Sequence, residues 1–251
     1  MCATCGCGTD VHHDHDHDHD HHGHDHHGHD HHDHVHHDHP RVVSLEAQLL
    51  AKNDRLAADN RAWLATRAIT AFNLMSSPGA GKTTLLERTL RDRAGTRGFA
   101  VIEGDQETTR DSERIRAAGA RALQINTGAG CHLDAAMVGK ALWELAPAQR
   151  SVLFIENVGN LVCPALFDLG ERACVVIASV TEGDDKPLKY PHMFRAADIV
   201  VLNKIDLLPY VQFDVDRFCA NASSVNPRAR VIRTSATRGD GLDDWYRWLD
   251  A

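Results

Sequence analysis

The sequence predicts an α/β fold in which a mostly parallel sheet carries helices on both faces. Seven short apolar runs alternate with stretches of helical character, at residues 71–76, 99–103, 121–126, 151–156, 174–180, 198–203 and 229–234. Their apolarity is continuous rather than alternating, which is typical of strands that are covered on both sides. The 251 residues suffice for one such domain, expected at residues 71–251, plus an appendage.

The extreme N-terminus, residues 1–10, carries a compact set of thiols in "MCATCGC". Removal of Met1 would expose an α-amine beside Cys2. That amine and the thiolates of Cys2, Cys5 and Cys7 would form a compact, near-planar set suited to Ni²⁺. Zn²⁺ would also accept the three sulfurs, in a tetrahedral site. We therefore expect a metal site here, with the metal left open.

Residues 11–40 form a histidine-rich tract that is predicted to be disordered. Of the nineteen histidines in the chain, all but His132 and His192 lie between His12 and His39, separated mainly by aspartate and glycine. Apart from two valines the segment has nothing apolar to bury, so it cannot offset the entropy of ordering. Many equivalent imidazoles make a store for Ni²⁺ or Zn²⁺ and not a catalytic centre. The irregular spacing argues against a purification tag.

Residues 41–70 are predicted to form an amphipathic helix that leads into the domain. The segment "SLEAQLLAKNDRLAADNRAWLATRAI" has large apolar residues at mostly helical spacings, namely Leu45, Leu49, Leu56, Trp63 and Leu64. This stripe packs either on the domain or on a second subunit, and the sequence leaves both open.

A phosphate-binding loop of the P-loop NTPase type is predicted where the first strand turns into a helix, in "SSPGAGKTT" at residues 76–84. The backbone N–H groups that would surround the β-phosphate belong to Gly79, Ala80, Gly81 and Lys82. The Lys82 ammonium would reach the β- and γ-phosphates, and the hydroxyl of Thr83 would bind Mg²⁺. The next residue, Thr84, also belongs to the predicted nucleotide-binding set. Ser76 stands where the strict pattern has glycine, although the two later glycines keep the turn feasible.

Two further strand ends are predicted to supply the chemistry of phosphate hydrolysis. Asp105 ends the second strand and is a candidate for coordinating Mg²⁺ through water or for orienting the attacking water. Glu156 ends the fourth strand and is a candidate for an outer Mg²⁺ contact. Gly159 would donate its N–H to the γ-phosphate, as in a nucleotide switch. Because Asn160 follows in place of a glutamine, we expect slow intrinsic turnover.

The base-binding residues are predicted at the end of the sixth strand, in "NKID" at residues 203–206. The carboxylate of Asp206 would accept hydrogen bonds from N1–H and the exocyclic amine of guanine, a donor pair that adenine lacks. Asn203 and the stem of Lys204 would frame the ring. The segment "TSA" would complete the pocket with Ser235 and Ala236. The predicted substrate is therefore GTP, which is converted to GDP.

A second set of metal ligands is predicted at Cys131 and His132 in "NTGAGCHLDA" and at Cys163 in "ENVGNLVCPA". Cys163 closely follows Gly159, so a metal held by these three side chains would share a segment with the γ-phosphate sensor. Three ligands leave one coordination position open, for releasing the ion or sharing it between subunits. Each cysteine would alternatively be a small buried hydrophobe. Cys174 and Cys219 are expected to be structural, and His192 is expected to be a loop residue and not a ligand.

The composition excludes several classes of partner. The net charge of −8 is concentrated in the aspartates of the first 40 residues, and the rest of the chain is close to neutral. We therefore expect binding neither to nucleic acid nor to a membrane surface. The sequence shows no apolar run long enough to span a bilayer and no signal peptide. Seven cysteines in such a chain do not indicate a disulfide framework, so we expect a cytoplasmic protein.

Together these motifs resemble those of the hydrogenase nickel-incorporation GTPases, the HypB family. The resemblance rests on the N-terminal cysteines and on "SSPGAGKTTLL", "VIEGDQETTRDSERI", "INTGAGCHLDA", "FIENVGNLVCPA", "SVTEGDDKPLKYP" and "LNKIDLLP". It implies a cytosolic, dimerising P-loop GTPase of the SIMIBI class. Such a protein would deliver Ni²⁺ to the hydrogenase large subunit precursor together with the small zinc- and nickel-binding protein HypA. The resemblance also implies a tight nickel site at Cys2, Cys5 and Cys7 and a weaker nickel or zinc site at Cys131, His132 and Cys163.

Two other functions stay open on the sequence. A urease-type nickel-chaperone GTPase would share the chemistry. Such proteins carry a Cys-Pro-His motif, however, and in this sequence Cys163 and Pro164 are followed by Ala165. The chain would alternatively be mainly a nickel store on a vestigial nucleotide fold. The intact Lys82 and Asp206 argue against that reading.

Overall fold

The computed structural model describes residues 40–105, 110–128 and 130–251, without the side chains of residues 40–46 and 110. The predicted ligands Cys2, Cys5 and Cys7 and the tract from His12 to His39 lie outside these residues. The chain divides into units of residues 1–48 and 49–251, and the sheet belongs to the second unit.

Seven strands form one sheet in the order β3-β2-β4-β1-β5-β6-β7. The strands are β1 Thr70–Ser76, β2 Phe99–Asp105, β3 Arg121–Asn126, β4 Val152–Glu156, β5 Ala173–Ser179, β6 Ile199–Asn203 and β7 Arg230–Arg233. All the neighbouring pairs are parallel. Each strand coincides with one of the apolar runs, so the predicted parallel sheet is confirmed.

Helices cover both faces of this sheet. They are α1 Pro40–Thr66, α2 Lys82–Asp92, α3 Arg110–Ala117, α4 Ala135–Leu145, α5 Lys186–Lys189, α6 Pro191–Ala196, α7 Val215–Val225 and α8 Leu242–Asp250. Two 3₁₀ helices lie at Cys163–Leu166 and Ile205–Tyr210. Because successive strand residues point to opposite faces, Phe72 and Phe154 pack with α2 and α8, whereas Ile155 packs with α1 and α4. The predicted P-loop NTPase architecture with helices on both faces is confirmed.

The buried face of α1 differs from the predicted leucine stripe. Leu64 is buried, but Leu49 is 57 % exposed. The residues that α1 buries at helical spacing are instead Asn53, Ala57 and Asn60, together with Leu64. The apolar periodicity missed this face because two of its members are amides, and their polar atoms are satisfied by hydrogen bonds to backbone groups.

Close packing of α1 requires a glycine at residue 170. Gly170 has φ +92°, and a Cβ there would lie 2.6 Å from the carbonyl oxygen of Ala57 and 2.9 Å from the backbone nitrogen of Arg61. These are backbone atoms of α1, which cannot move away as a flexible side chain would. The loop before β5 therefore touches the helix backbone directly.

Gly170→Ala is expected to lower the free energy of unfolding by about 3 kcal/mol, combining left-handed strain with overpacking. Gly95→Ala is the matched control, because Gly95 has φ +81° and open space around its Cβ position. It should cost only about 1 kcal/mol, the left-handed strain without the overpacking. Urea unfolding of both variants measures the difference, and equal losses would contradict the contact with α1.

Candidate nucleotide and metal sites

A cavity of about 530 Å³ opens where the carboxyl ends of β1, β2 and β4 meet the turn into α2. Parallel α/β sheets bind ligands at this edge, because the loops there leave the sheet on opposite faces. Every residue predicted to contact phosphate or Mg²⁺ lines this cavity, with the exception of Ala80. The sequence motifs of three different strands are thus brought to one place.

The phosphate loop has the left-handed turns that its glycines were predicted to allow. Gly79 has φ +77° and Gly81 has φ +98°, and α2 begins at the next residue, Lys82. The Lys82 ammonium donates to the hydroxyl of Ser76 over 3.1 Å. Ser76, the departure from the strict pattern, therefore gives this lysine a partner inside the loop that a glycine would not provide.

Two carboxylates, one buried and one partly exposed, contact the hydroxyl of Thr83. Its Oγ1 lies 2.8 Å from Oε1 of Glu156 and 3.1 Å from Oδ2 of Asp111. Glu103 lines the same cavity and is 2 % exposed. Burial, reinforced by the charge of Glu156, raises the pKa of Glu103 to about 8. Burial also raises the pKa of Glu156, although the nearby Lys82 opposes this.

This donor set fits a hydrated divalent cation. Among the described residues, Oε2 of Glu103 and Oε2 of Glu156 are buried without a hydrogen-bond partner. Hard carboxylate and hydroxyl oxygens are the ligands that Mg²⁺ prefers, usually with several of its waters retained. Thr83, Glu156 and Asp111 would hold Mg²⁺ or its waters, with Asp105 at the rim of the same cavity.

Sequence reasoning missed Glu103 and Asp111. Glu103 lies two residues before Asp105 on β2, so strand alternation places both on the same side and was a usable signal. Asp111 lies in the first turn of α3, and only the tertiary fold brings it to Thr83.

The segment that follows β4 packs directly on the phosphate loop. A Cβ at Gly159 would lie 3.1 Å from Cγ and 3.2 Å from the nitrogen of Pro78. Asn160 then accepts hydrogen bonds from the backbone N–H groups of Val162 at 2.8 Å and Cys163 at 3.4 Å. The side chain of Asn160 therefore shapes the turn that leads to Cys163.

The predicted base-binding residues converge at the end of β6. Asn203 donates to the carbonyl of Ala80 at 3.0 Å and accepts from the N–H of Ala236 at 3.1 Å. The hydroxyl of Ser235 donates to Asp206 at 2.6 Å and fixes its carboxylate. The ammonium of Lys204 donates to the carbonyl of Gly79 at 2.6 Å. The phosphate loop and the base-binding loop are therefore joined by direct hydrogen bonds.

The thiols of Cys131 and Cys163 and an imidazole nitrogen of His132 lie within 4.8 Å of one another. No other group of three or more such ligands occurs among the residues that the structure describes. Cys163 is fully buried, and Cys131 is 9 % exposed. Two thiolates and an imidazole would bind either Ni²⁺ or Zn²⁺.

The ring of Phe167 holds the imidazole of His132 in place. The two rings stack with centroids 4.0 Å apart and planes 18° from parallel. Burial lowers the pKa of His132, which favours the neutral form that binds metals. Phe167 directly follows the 3₁₀ helix that begins at Cys163. The segment that supplies one ligand, Cys163, therefore also contacts a second, His132.

The remaining described cysteines have structural surroundings. Cys174 donates to the buried carboxylate of Glu171 at 3.1 Å, and burial together with that charge raises the pKa of the Cys174 thiol. Cys219 makes a long contact of 3.9 Å with the guanidinium of Arg233. That neither thiol is a ligand stays a prediction. The expectation that His192 lies in a loop is wrong, because this residue is in the helix α6.

A chain of buried amides joins the segment after β4, which packs on the phosphate loop, to the loop that carries Cys131 and His132. Asn157, directly after β4, accepts from the N–H of Leu133 at 3.1 Å and from that of Val158 at 3.0 Å. It donates to Asn73 at 3.3 Å, and Asn73 donates to Glu171 at 3.0 Å. The residue after His132 is thereby tied to the segment that packs on the phosphate loop.

None of the helices in the part of the chain that the structure describes combines the length and apolarity needed to cross a lipid bilayer.

Comparison with known proteins relates most of the chain to one family. The family model "CobW/HypB/UreG, nucleotide-binding domain" matches residues 70–233. Hydrogenase maturation factor HypB of Rhizobium leguminosarum bv. viciae is 56 % identical over 210 residues, which is 84 % of this chain and 70 % of the relative. The crystal structure of HypB from Archaeoglobus fulgidus is 42 % identical with a TM-score of 0.75, covering 80 % of this chain and 98 % of that one.

HypB from Helicobacter pylori, crystallised in complex with nickel, is also similar. It is 40 % identical with a TM-score of 0.73, covering 79 % of this chain and 93 % of that one.

Asp206→Asn is expected to weaken GTP binding by about 10- to 100-fold, because hydrogen bonds to a charged acceptor are lost. It should strengthen binding of xanthosine triphosphate, since the new amide can donate to the extra carbonyl of xanthine. Calorimetric titration with both nucleotides measures the change. Asp243→Asn, at an exposed position on α8, is the control and should change neither affinity. Equal loss of both affinities in Asp206→Asn would contradict the base-reading role.

Proposed function

The chain belongs to the HypB family of hydrogenase maturation factors, which are P-loop GTPases, and we propose that it couples GTP hydrolysis to the delivery of Ni²⁺. The client would be the large subunit precursor of [NiFe]-hydrogenase. The nickel-bound relative from Helicobacter pylori supports this cargo, and the hydrogenase maturation factors to which the chain is similar support this process.

One observation carries the proposal. The three candidate ligands lie within 4.8 Å of one another, and one of them, Cys163, lies on the segment whose Gly159 packs on the phosphate loop. Nucleotide and metal would therefore act on the same short piece of chain. We assign the cargo site to Cys131, His132 and Cys163.

The residues of the cavity and of the base-binding loop have distinct roles in GTP binding and hydrolysis. Lys82 and the backbone N–H groups at the start of α2 bind the phosphates, and Asp206 selects guanine. Mg²⁺, held near Thr83 and Glu156, would neutralise charge on the β- and γ-phosphates. Asp105 remains our candidate for orienting the attacking water. No glutamine follows Gly159, so turnover is expected to be slow.

Hydrolysis would change the cargo site through the backbone. The N–H of Gly159 binds the γ-phosphate, and loss of that phosphate releases the segment at residues 157–163. Because Asn157 holds Leu133 and Cys163 ends the segment, the distance between the ligands changes with the nucleotide. A geometry that is poor for Ni²⁺ then lets the ion leave through the open coordination position.

The remaining parts of the proposal concern partners and the N-terminus. We expect a homodimer that depends on GTP or metal, cooperation with the small protein HypA, and action in the cytoplasm. Cys2, Cys5 and Cys7 would form the tight nickel site, and the tract from His12 to His39 would store nickel. Zn²⁺ would compete at the thiolate sites.

The coupling predicts that Ni²⁺ affinity at Cys163 differs at least about 5-fold between GDP and a non-hydrolysable GTP analogue. The measurement uses the full chain with Cys2, Cys5 and Cys7 replaced by serine, so that thiolate-to-nickel charge-transfer absorption reports on the cargo site. A chelator buffer fixes the free Ni²⁺ concentration, which makes binding by the histidine tract irrelevant.

Two lysine variants complete this experiment. Lys82→Ala should abolish GTP turnover and the nucleotide dependence of the absorption. Lys140→Ala, exposed on α4, should retain both. If the chain that keeps both lysines has the same Ni²⁺ affinity with GDP and with the GTP analogue, the two sites are uncoupled.

Deletion of residues 12–39 is expected to lower the number of bound Ni²⁺ ions by several, because the deletion removes most of the imidazoles. GTP turnover should be unchanged. Equilibrium dialysis with metal analysis measures the stoichiometry. A variant of the same length with asparagine for each tract histidine is the control and should lose the same number. Unchanged stoichiometry in either variant would end the storage role.

A further inference from the structure

We propose that Asn53 and Asn60 of α1 are positioning residues for the metal site, because each binds both of the loops that supply its ligands. The inference rests on the proposed function of Cys131, His132 and Cys163 as the cargo site. It assigns to the N-terminal helix a part in metal affinity that its sequence did not predict.

The two ligand-bearing loops come from different parts of the chain. Cys131 and His132 lie between β3 and α4, whereas Cys163 lies between β4 and β5. No covalent connection fixes one loop against the other over a short distance. Their relative position sets the spacing between the sulfurs of Cys131 and Cys163, and it has to be held by contacts.

Asn53 makes one hydrogen bond to each loop. Its Oδ1 accepts from the N–H of Ala135 at 2.9 Å, three residues after His132. Its Nδ2 donates to the carbonyl of Asp168 at 2.8 Å, five residues after Cys163. A single carboxamide thus spans the gap between the loops.

Asn60 repeats the bridge two helical turns later. Its Nδ2 donates to the carbonyl of Ala135 at 2.8 Å and to that of Leu169 at 3.0 Å. Residues seven apart lie on the same side of a helix, so both asparagines point into the same seam. Both are buried, with 6 % and 7 % exposure.

Steric contacts keep α1 in this seam. Ala57, between the two asparagines, is fully buried, and its carbonyl would lie 2.6 Å from a Cβ at Gly170. A Cβ at Gly139 would lie 2.8 Å from Oδ1 of Asn60. The helix therefore approaches α4 and the loop before β5 at backbone distance, and a shift would break the hydrogen bonds of both asparagines.

Loss of Asn53 would leave the buried N–H of Ala135, in the first turn of α4, without its partner, and loss of either amide would remove a bridge that keeps the two loops together. Side chains that hydrogen-bond directly to metal ligands typically change affinity by about 10- to 100-fold, and the asparagines, which bind the loops and not the ligands, should have a smaller effect. Asn53→Asp is the sharper substitution, because its carboxylate still accepts from Ala135 but can no longer donate to Asp168. It breaks the bridge while keeping one half of it.

The experiment compares the free Ni²⁺ concentration at half-maximal thiolate-to-nickel absorption in full-length variants with Cys2, Cys5 and Cys7 replaced by serine. Asn53→Ala, Asn53→Asp and Asn60→Ala should each raise it by about 3-fold or more, a smaller effect than the loss of a direct ligand partner has. Their GTP turnover should stay unchanged, because neither asparagine lines the nucleotide cavity.

Two controls separate positioning from general stability. Arg61→Ala removes an exposed ion pair with Asp168 in the same seam and should change Ni²⁺ affinity less than about 2-fold. Leu249→Ala lowers stability in the core on the other face of the sheet and should leave the affinity unchanged. If Asn60→Ala fails to fold, Asn53→Asp carries the test.

Each outcome decides a different claim. Absence of the absorption band in the parent chain would overturn the cargo site itself. Wild-type affinity in the asparagine variants, with the band present, would overturn only the positioning role. An equal loss in Leu249→Ala would do the same, because it would trace the effect to stability.

Discussion

The carboxamide of Asn157 is the contact through which the two sites meet. Its oxygen accepts from the backbone N–H of Leu133 and of Val158, and the residue is 1 % exposed. A buried N–H that loses its partner costs about 1–3 kcal/mol, so this arrangement does not stretch gradually. A displacement of the nucleotide segment either carries the metal loop with it or breaks the bond. That all-or-none character is what a switch requires.

The parts of the fold that sequence reasoning predicted are those with local causes. Continuous apolarity marks strands buried on both faces, and the glycines before Lys82 mark a left-handed turn at the start of a helix. Asn203 and Asp206 follow a strand directly, so their place at the sheet edge was predictable. The seam of α1 was not. Periodicity analysis counts apolar residues, and Asn53 and Asn60 are buried only because backbone groups distant in sequence satisfy them.

The electrostatics of the nucleotide cavity follow from the same long-range packing. Glu156 and Asp111 contact Thr83, Glu103 lines the same cavity, and burial raises the pKa of both glutamates. Their charged forms repel each other in a poorly solvated space and are stabilised by positive charge, which Lys82 supplies in part. A divalent cation accompanied by anionic phosphates satisfies this cavity better than either would alone. The carboxylates therefore favour the combined binding of Mg²⁺ and nucleotide.

Ligand chemistry does not by itself distinguish nickel from zinc at the cargo site. Two thiolates and an imidazole suit both ions, and three ligands leave a position open where a structural zinc site would be closed. Selectivity between the two ions and release of Ni²⁺ must then come from geometry. Zn²⁺ binds well in tetrahedral sites, whereas Ni²⁺ favours square-planar ones. The coordination geometry depends on the distance and orientation of Cys163 relative to Cys131 and His132. Asn157, next to the segment that packs on the phosphate loop, contacts the loop of Cys131 and His132, and α1 contacts both ligand-bearing loops. In the proposed mechanism the α1 contacts stay fixed while the Asn157 contact moves with the nucleotide, so the spacing of the ligands, and with it the Ni²⁺ affinity, changes when GTP is hydrolysed.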